Sequence, residues 1–294
     1  MKRQSVGVVG LGIMGSAISA NLARAGFSVC GYDLLEARRR ALQRAGGMPL
    51  GSAAAVFRKA AVVITSLPSA EALHAVSKDI APRKSRIVIE TSTLPLEDKL
   101  AARDALKRRH VTLLDCPLSG TGAQARTKDL VVYGSGDPSS YKKVIPVLDG
   151  FARSQHFLGE FGNGSRMKYV ANLLVAIHNV SAAEAFVLGM KAGLDAATIY
   201  KVVGDGAGAS RMFQVRGPQM VAGNYAEATM KLEVWQKDMR IIGDFAARLG
   251  VPTPLFNASA AIYNAALAQG FAQQDTGAVC AVLERMGGLR RRGH

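Results

Sequence analysis

The apolar run Ser5–Val9 ends directly on Gly10-Leu11-Gly12-Ile13-Met14-Gly15, and a helical pattern, Gly15–Ala25, follows. Strand, G-x-G-x-x-G and helix in that order admit few folds. Gly10 allows the tight turn, Gly12 lets an anion come close to the backbone, and Gly15 lets helix and strand pack closely. Free N–H groups and the dipole of a helix opening at the third glycine favour a phosphate there. The loop, with Leu11, Ile13 and Met14 between its glycines, points to a dinucleotide pyrophosphate and so to a Rossmann domain. Phe27–Tyr32 reads as the second strand and ends on Asp33. A carboxylate there accepts hydrogen bonds from the adenosine ribose and repels a 2′-phosphate, which favours NAD over NADP. Arg38-Arg39-Arg40 offers charge to a phosphate, but it falls inside the next helical stretch, Leu34–Ala45, and is expected on its solvated face.

Downstream of Asp33 the chain alternates apolar runs with helical patterns. Ala61–Ser66, Arg86–Glu90, Val111–Asp115 and Leu130–Tyr133 read as further strands. Runs such as Val62-Val63-Ile64-Thr65 and Ile87-Val88-Ile89 suit parallel strands buried on both faces. Ala70–Ile80 and Leu96–Arg109 read as helices between them. The alternation predicts an α/β doubly wound sheet. After the loop Glu160–Gly164 strand patterns give way to helical ones: Ser165–Ala192, Ala196–Val203, Lys231–Leu249, Pro254–Gln269 and Thr276–Met286. Gly193, Gly250 and Gly270 sit where helix ends would use them. The chain is thus expected to hold a Rossmann domain, residues 1–161, and an all-helical domain, residues 162–294, which begins with a long helix between the two. The latter is the candidate dimerisation element of a homo-oligomer, a dimer or tetramer.

The net charge is +15. Its short clusters, Lys107-Arg108-Arg109 and Arg290-Arg291-Arg292 among them, lack interleaved aromatics, which argues against a nucleic-acid partner. A positive field steers a dinucleotide and a small carboxylate substrate inward. Cys30, Cys116 and Cys280 form no C-x-x-C pair and suit a reduced, cytoplasmic setting. No His, Asp, Glu or Cys cluster has metal-ligand spacing, so no metal is expected. Glycines interrupt the run after Met1-Lys2-Arg3, unlike a signal peptide. The apolar stretch Tyr169–Met190 carries Asn172, His178, Asn179 and Glu184, which suits a buried helix better than a membrane span. Gly162-Asn163-Gly164 opens the long helix. Lys168 and Asn172 then fall four apart on one face, at the expected domain boundary where a cleft would form. A lysine whose pKa is lowered by burial could exchange a proton with a substrate hydroxyl; an ordinary surface lysine fits the spacing as well.

Six ordered segments together resemble the β-hydroxyacid dehydrogenases, the family of 3-hydroxyisobutyrate dehydrogenase and tartronate semialdehyde reductase. They are the loop Gly10–Gly15 with Asn21-Leu22 and Ala25-Gly26; Ser66-Leu67-Pro68; Ser92-Thr93; Asp115-Cys116-Pro117-Leu118-Ser119-Gly120; Gly162-x-Gly164-x-x-x-Lys168 with Asn172; and Lys237-Asp238. The resemblance implies an NAD(P)-linked oxidoreductase acting on the 3-hydroxy group of a small hydroxy acid, or on the semialdehyde. It implies that Leu67, Pro68 and Thr93 contact the cofactor, that Lys168 is the acid–base group, and that Asn172 bonds the reacting oxygen or the lysine. Ser119 and the N–H groups of Gly120 and Thr121 would hold the substrate carboxylate, and Lys237 would face the cofactor. Thr121 stands where the family usually has a second glycine, and Ala171-Asn172 replaces the common Asn-Asn pair. Arg211 occupies a segment where relatives contact substrate and is a candidate selecting group. The alternatives are a reductase of another carbonyl or an imine, whose imine-reducing relatives usually lack the lysine, and a degenerate dehydrogenase kept as a binding or scaffold module.

Overall fold

The computed structural model describes residues 4–81 and 86–291; Met1-Lys2-Arg3 and Arg292 of the C-terminal basic cluster lie outside them. Two compact units divide between Lys168 and Tyr169, inside one helix.

In the first unit β1 (Ser5–Val9), β2 (Ser28–Tyr32), β3 (Met48–Pro49), β4 (Val62–Thr65), β5 (Arg86–Glu90) and β6 (Val111–Asp115) form a six-stranded parallel sheet. The order is β3-β2-β1-β4-β5-β6, so the chain reverses direction across the sheet next to β1. Parallel strands need crossovers, and α1 (Ile13–Arg24), α2 (Glu36–Arg44), α3 (Ala53–Lys59), α4 (Ala70–Lys78) and α5 (Leu96–Lys107) supply them. Strand side chains alternate between two cores. Val62, Ile64, Ile87 and Ile89 pack with Ile18 and Leu22 of α1, whereas Val63 and Val88 pack with Phe57 of α3 and Leu106 of α5. Two covered faces account for the uninterrupted β-branched runs.

A second sheet departs from expectation. The strand anticipated at Leu130–Tyr133 is β8 (Val131–Gly134), which lies outside the six-stranded sheet. It forms the centre of a three-stranded sheet, antiparallel to β7 (Leu118–Ser119) and parallel to β9 (Ser154–Phe157). The helices α6 (Gly122–Arg126) and α7 (Pro138–Phe151) accompany it; α7 begins with a proline and carries another, Pro146, which hides it from periodicity.

Next comes α8 (Asn163–Lys191), whose residues from Tyr169 onward belong to the second unit. The second unit continues with α9 (Ala196–Asp205), α10 (Arg211–Ala222), α11 (Leu232–Arg248), α12 (Pro254–Ala268) and α13 (Val279–Met286). Among the described residues α8 is the one helix long and apolar enough to cross a membrane by length and composition. Its buried Asn179 is nonetheless bonded within the unit, donating to Tyr263 Oη at 3.1 Å and to the Thr276 carbonyl at 2.8 Å. Gly193, Gly250 and Gly270 all have positive φ after helix ends, the conformation a C-terminal glycine supplies. The stretch expected as one helix from Thr276 starts with a 3₁₀ turn, Thr276–Ala278. The unanticipated α10 contains Gly217 and Pro218; Gly217 has no room for a side chain, since a Cβ would stand 2.4 Å from the Tyr200 ring.

Candidate active site

The phosphate loop has the geometry that its glycines require. Gly10 sits at φ +90°, and a Cβ there would lie 2.1 Å from the Ser66 carbonyl oxygen. A Cβ on Gly15 would lie 1.9 Å from the carbonyl oxygen of Gly10. Helix α1 opens at Ile13 rather than at the third glycine, so Gly15 lies in its first turn and lets helix and loop close on each other. Gly12 is different: its nearest would-be neighbour is Arg38 Nη1 at 3.9 Å. The backbone is open at the one glycine where a pyrophosphate must approach, so the loop fits a dinucleotide. Leu11 is buried, Met14 half-buried and Ile13 exposed.

Asp33, at the end of β2, closes this cradle. Its Oδ2 accepts the Leu11 N–H at 2.7 Å and its Oδ1 accepts the Leu35 N–H at 2.9 Å. The three arginines do not share a solvated face. Arg38 turns back to Asp33, with Nη1 3.2 Å from Oδ2. Arg39 donates to the Asp33 and Leu34 carbonyls at 2.6 and 3.0 Å. Arg40 reaches furthest into solvent, paired with Glu36 on the preceding helical turn, while Arg38 stays half exposed.

The ends of β5 and β6 carry a charged cluster that the motifs did not reveal. Their register places Glu90 beside Asp115. Two carboxylates side by side need a cation, and Lys99 of α5 supplies it. Its ammonium lies 2.6 Å from Glu90 Oε2 and 2.8 Å from Asp115 Oδ1, and it donates to the Ser92 carbonyl at 2.6 Å. All three side chains are fully buried. Burial alone would disfavour the charge on Lys99, but Asp115 and Glu90 outweigh it and hold the ammonium above its ordinary range. Glu90 Oε1 accepts the Ser92 N–H at 2.9 Å, and Ser92 Oγ accepts the Leu67 N–H at 2.8 Å. The turns Leu67-Pro68 and Ser92-Thr93 are thereby joined. Thr93 and Leu67 are half-buried and Pro68 is exposed.

Asp115 also holds the start of α8. Its Oδ2 accepts the Ser165 N–H and its Oδ1 the Ser165 hydroxyl, both at 2.8 Å. Ser135 Oγ accepts the N–H groups of Gly162 and Gly164 at 3.2 and 3.0 Å. A Cβ on Gly164 would come within 2.3 Å of the Tyr133 carbonyl oxygen, which explains the second glycine of the motif. One turn beyond Ser165 lies Lys168, 8% exposed. Asn172, one further turn along and 4% exposed, donates its amide to Asp238 Oδ2 at 2.8 Å within the second unit. Asp238 Oδ1 lies 3.6 Å from Lys237 Nζ. Arg211 is an exposed first residue of α10, whose N-terminus is capped by Ser210.

Ser119 ends β7 and pairs with Val131. Gly120 follows at φ +130°, where a Cβ would press on Leu130 at 2.7 Å. Thr121 has φ −94°, so a side chain is tolerated where relatives use glycine. Its N–H donates to Gln124 Oε1 at 3.0 Å, closing a capping box at the start of α6. The N–H expected to meet a substrate carboxylate is therefore already bonded. Glu90, Lys99, Ser135 and Ser165 escaped the motif reading. The available signal was the acidic residue ending each of two successive buried strands.

Residues 5–159 match the family described as the NAD binding domain of 6-phosphogluconate dehydrogenase. Residues 162–283 match the one described as NAD-binding of NADP-dependent 3-hydroxyisobutyrate dehydrogenase. L-threonate dehydrogenase of Cupriavidus necator is 32% identical over 94% of this chain and 95% of its own length. The chloroplastic glyoxylate/succinic semialdehyde reductase 2 of Arabidopsis thaliana is 29% identical over 95% of this chain and 79% of its own. The crystal structure of a 3-hydroxyisobutyrate dehydrogenase from Salmonella typhimurium superposes with a TM-score of 0.86 at 28% identity, covering 95% of this chain and 99% of that one.

Proposed function

The chain belongs to the 3-hydroxyisobutyrate (β-hydroxyacid) dehydrogenase family of NAD(P)-dependent enzymes, and from that premise we propose that it oxidises the hydroxyl of a short hydroxy acid with NAD, using Lys168 as acid–base group. The observation that carries this reading is the placement of Lys168. It is buried, and it stands one turn into a helix whose N-terminus is bonded to Asp115. Asp115 in turn begins the segment that leads to Ser119 and Gly120.

The dinucleotide fits the loop Gly10–Gly15, with Asp33 at its ribose end and Leu67 and Thr93 further along, and when bound it supplies the hydride acceptor or donor. In oxidation Lys168 Nζ takes the proton of the substrate hydroxyl as the carbon loses hydride; in reduction it returns that proton to the carbonyl oxygen. Positioned proton transfer of this kind contributes about 10²–10⁴-fold. Ser119 Oγ and the Gly120 N–H hold the carboxylate, with Thr121 shaping the pocket through its side chain. Asn172 and Lys237 form a polar set with Asp238 and are assigned to orientation rather than proton transfer. Arg211 is assigned to substrate selection. A cytoplasmic homo-oligomer belongs to the same reading, supported by three free buried thiols and by Val170, Leu174 and Leu188 standing exposed along α8.

The test is a screen of L-threonate, 3-hydroxyisobutyrate, glyoxylate and succinic semialdehyde, following nicotinamide absorbance with each dinucleotide. Turnover with at least one, faster with NAD, is expected; none with any of them would contradict the assignment. Asp33→Ser removes the carboxylate and frees Arg38 for a 2′-phosphate. It should shift the preference toward NADP by about tenfold or more, roughly 1.4 kcal/mol. An unchanged ratio would remove Asp33 from cofactor selection.

A further inference from the structure

We infer that Lys99 is a positioning residue for the reaction, holding the Ser92-Thr93 turn and the first turn of α8 in one frame through Glu90 and Asp115. The inference rests on the assignment of Lys168 as acid–base group.

The geometry leaves little slack. The ammonium donates to Asp115 Oδ1 and to the Ser92 carbonyl, and it is ion-paired with Glu90 Oε2 at 2.6 Å. Ser92 is held at each of its polar groups: its N–H by Glu90, its carbonyl by Lys99 and its hydroxyl by the Leu67 N–H. Asp115 holds Ser165 at both N–H and hydroxyl. Lys99 is therefore the atom-level junction between the two turns assigned to the dinucleotide and the helix that carries Lys168.

Stability is a poor explanation for such a junction. Replacing buried ionic triads by apolar groups of similar size is often neutral or stabilising. A charged junction does supply directional bonds of fixed length to both segments. Hydride and proton leave neighbouring atoms of the substrate, so the two segments must keep register with each other. A misplacement of about 1 Å is enough to cost on the order of 10²-fold in rate.

Four variants test this: Lys99→Met, Ser165→Ala, Lys168→Ala, and the double variant Ser165→Ala/Lys168→Ala. Ser165→Ala cuts only the hydroxyl bond to Asp115 and keeps the N–H bond, so it decides the matter if Lys99→Met does not fold. The expected result is a fall in kcat of roughly 10²-fold for Lys99→Met and about tenfold for Ser165→Ala. The thermal midpoint of Ser165→Ala should stay within about 2 °C of the parent. Its KM for the dinucleotide should stay within about twofold. Once Lys168 is absent, adding Ser165→Ala should cost nothing further, because residues acting as a unit are non-additive. The role is overturned if Lys99→Met keeps parental kcat per folded molecule, if Ser165→Ala does so where Lys99→Met does not fold, or if Ser165→Ala costs the same factor with and without Lys168. Parental turnover in Lys168→Ala contradicts the acid–base assignment itself. A dead Lys168→Ala beside parental Lys99→Met and Ser165→Ala contradicts the positioning role alone.

Discussion

Gly12 and Gly15 look equivalent in the motif and are not equivalent in the structure. At Gly15 an added methyl meets the Gly10 carbonyl oxygen at 1.9 Å, and backbone must move. At Gly12 nothing lies closer than 3.9 Å. Gly15→Ala should therefore lower stability, by about 1–3 kcal/mol as for other overpacked sites, and a denaturant titration measures it. Gly12→Ala should melt like the parent yet bind the dinucleotide at least about tenfold more weakly, because its methyl occupies the approach of the pyrophosphate. Equal binding in Gly12→Ala would contradict the assignment of that face. The motif glycines were legible because turn and close-approach chemistry dictates them one residue at a time. Lys99 was not legible, because nothing local to Leu96–Lys107 says that one of its lysines must neutralise two strand-end carboxylates brought together by register.

Element boundaries followed side-chain chemistry where a cap was present. Asp137 caps α7, accepting the Ser140 N–H and the Ser139 hydroxyl at 2.7 Å each. The Ser140 side chain first, then the Ser139 side chain and the Ser140 N–H, hold its carboxyl below the usual range. A depressed folded pKa means that the cap's contribution is complete above the ordinary carboxylate pKa, near 4, and fades as pH falls through the folded value. Asp137→Asn should be less stable than the parent by roughly 0.3–1 kcal/mol at pH 7, with the difference vanishing in strong acid. A pH series of thermal melts measures this, and a constant gap down to pH 2 would contradict it. Two of the helices that sequence pattern missed, α7 and α10, share a cause. Pro146 inside α7 and Gly217-Pro218 inside α10 read as breaks. Tertiary contacts keep these segments helical, among them the Tyr200 ring over Gly217. The strands β3 and β7 have two residues each, too few for any period to register.

The whole molecule was legible as a parallel sheet followed by helices because β-branched runs and helical periods are each sustained over many residues. The three-stranded sheet was not, since β9 (Ser-Gln-His-Phe) carries little apolar pattern and β8 resembles any other buried strand. In the second unit, distant segments are tied by one buried pair, Arg216 Nη1 to Asp275 Oδ1 at 3.0 Å. Asp275 also accepts the N–H groups of Thr229, Met230 and Gly277. Asp275→Ala leaves the Arg216 charge buried without its partner and should destabilise by about 3–5 kcal/mol, read from chemical denaturation. A loss under about 1 kcal/mol would mean that water replaces the carboxylate there.

In the proposed reaction a buried lysine at the start of α8 moves the proton while the loop at Gly10–Gly15 binds the dinucleotide independently of it. Lys168→Ala, measured for kcat and for dinucleotide affinity on one preparation, tests both halves together. The expected result is a fall in kcat of about 10²–10⁴-fold with affinity unchanged within a few-fold. Turnover within a few-fold of the parent would contradict it.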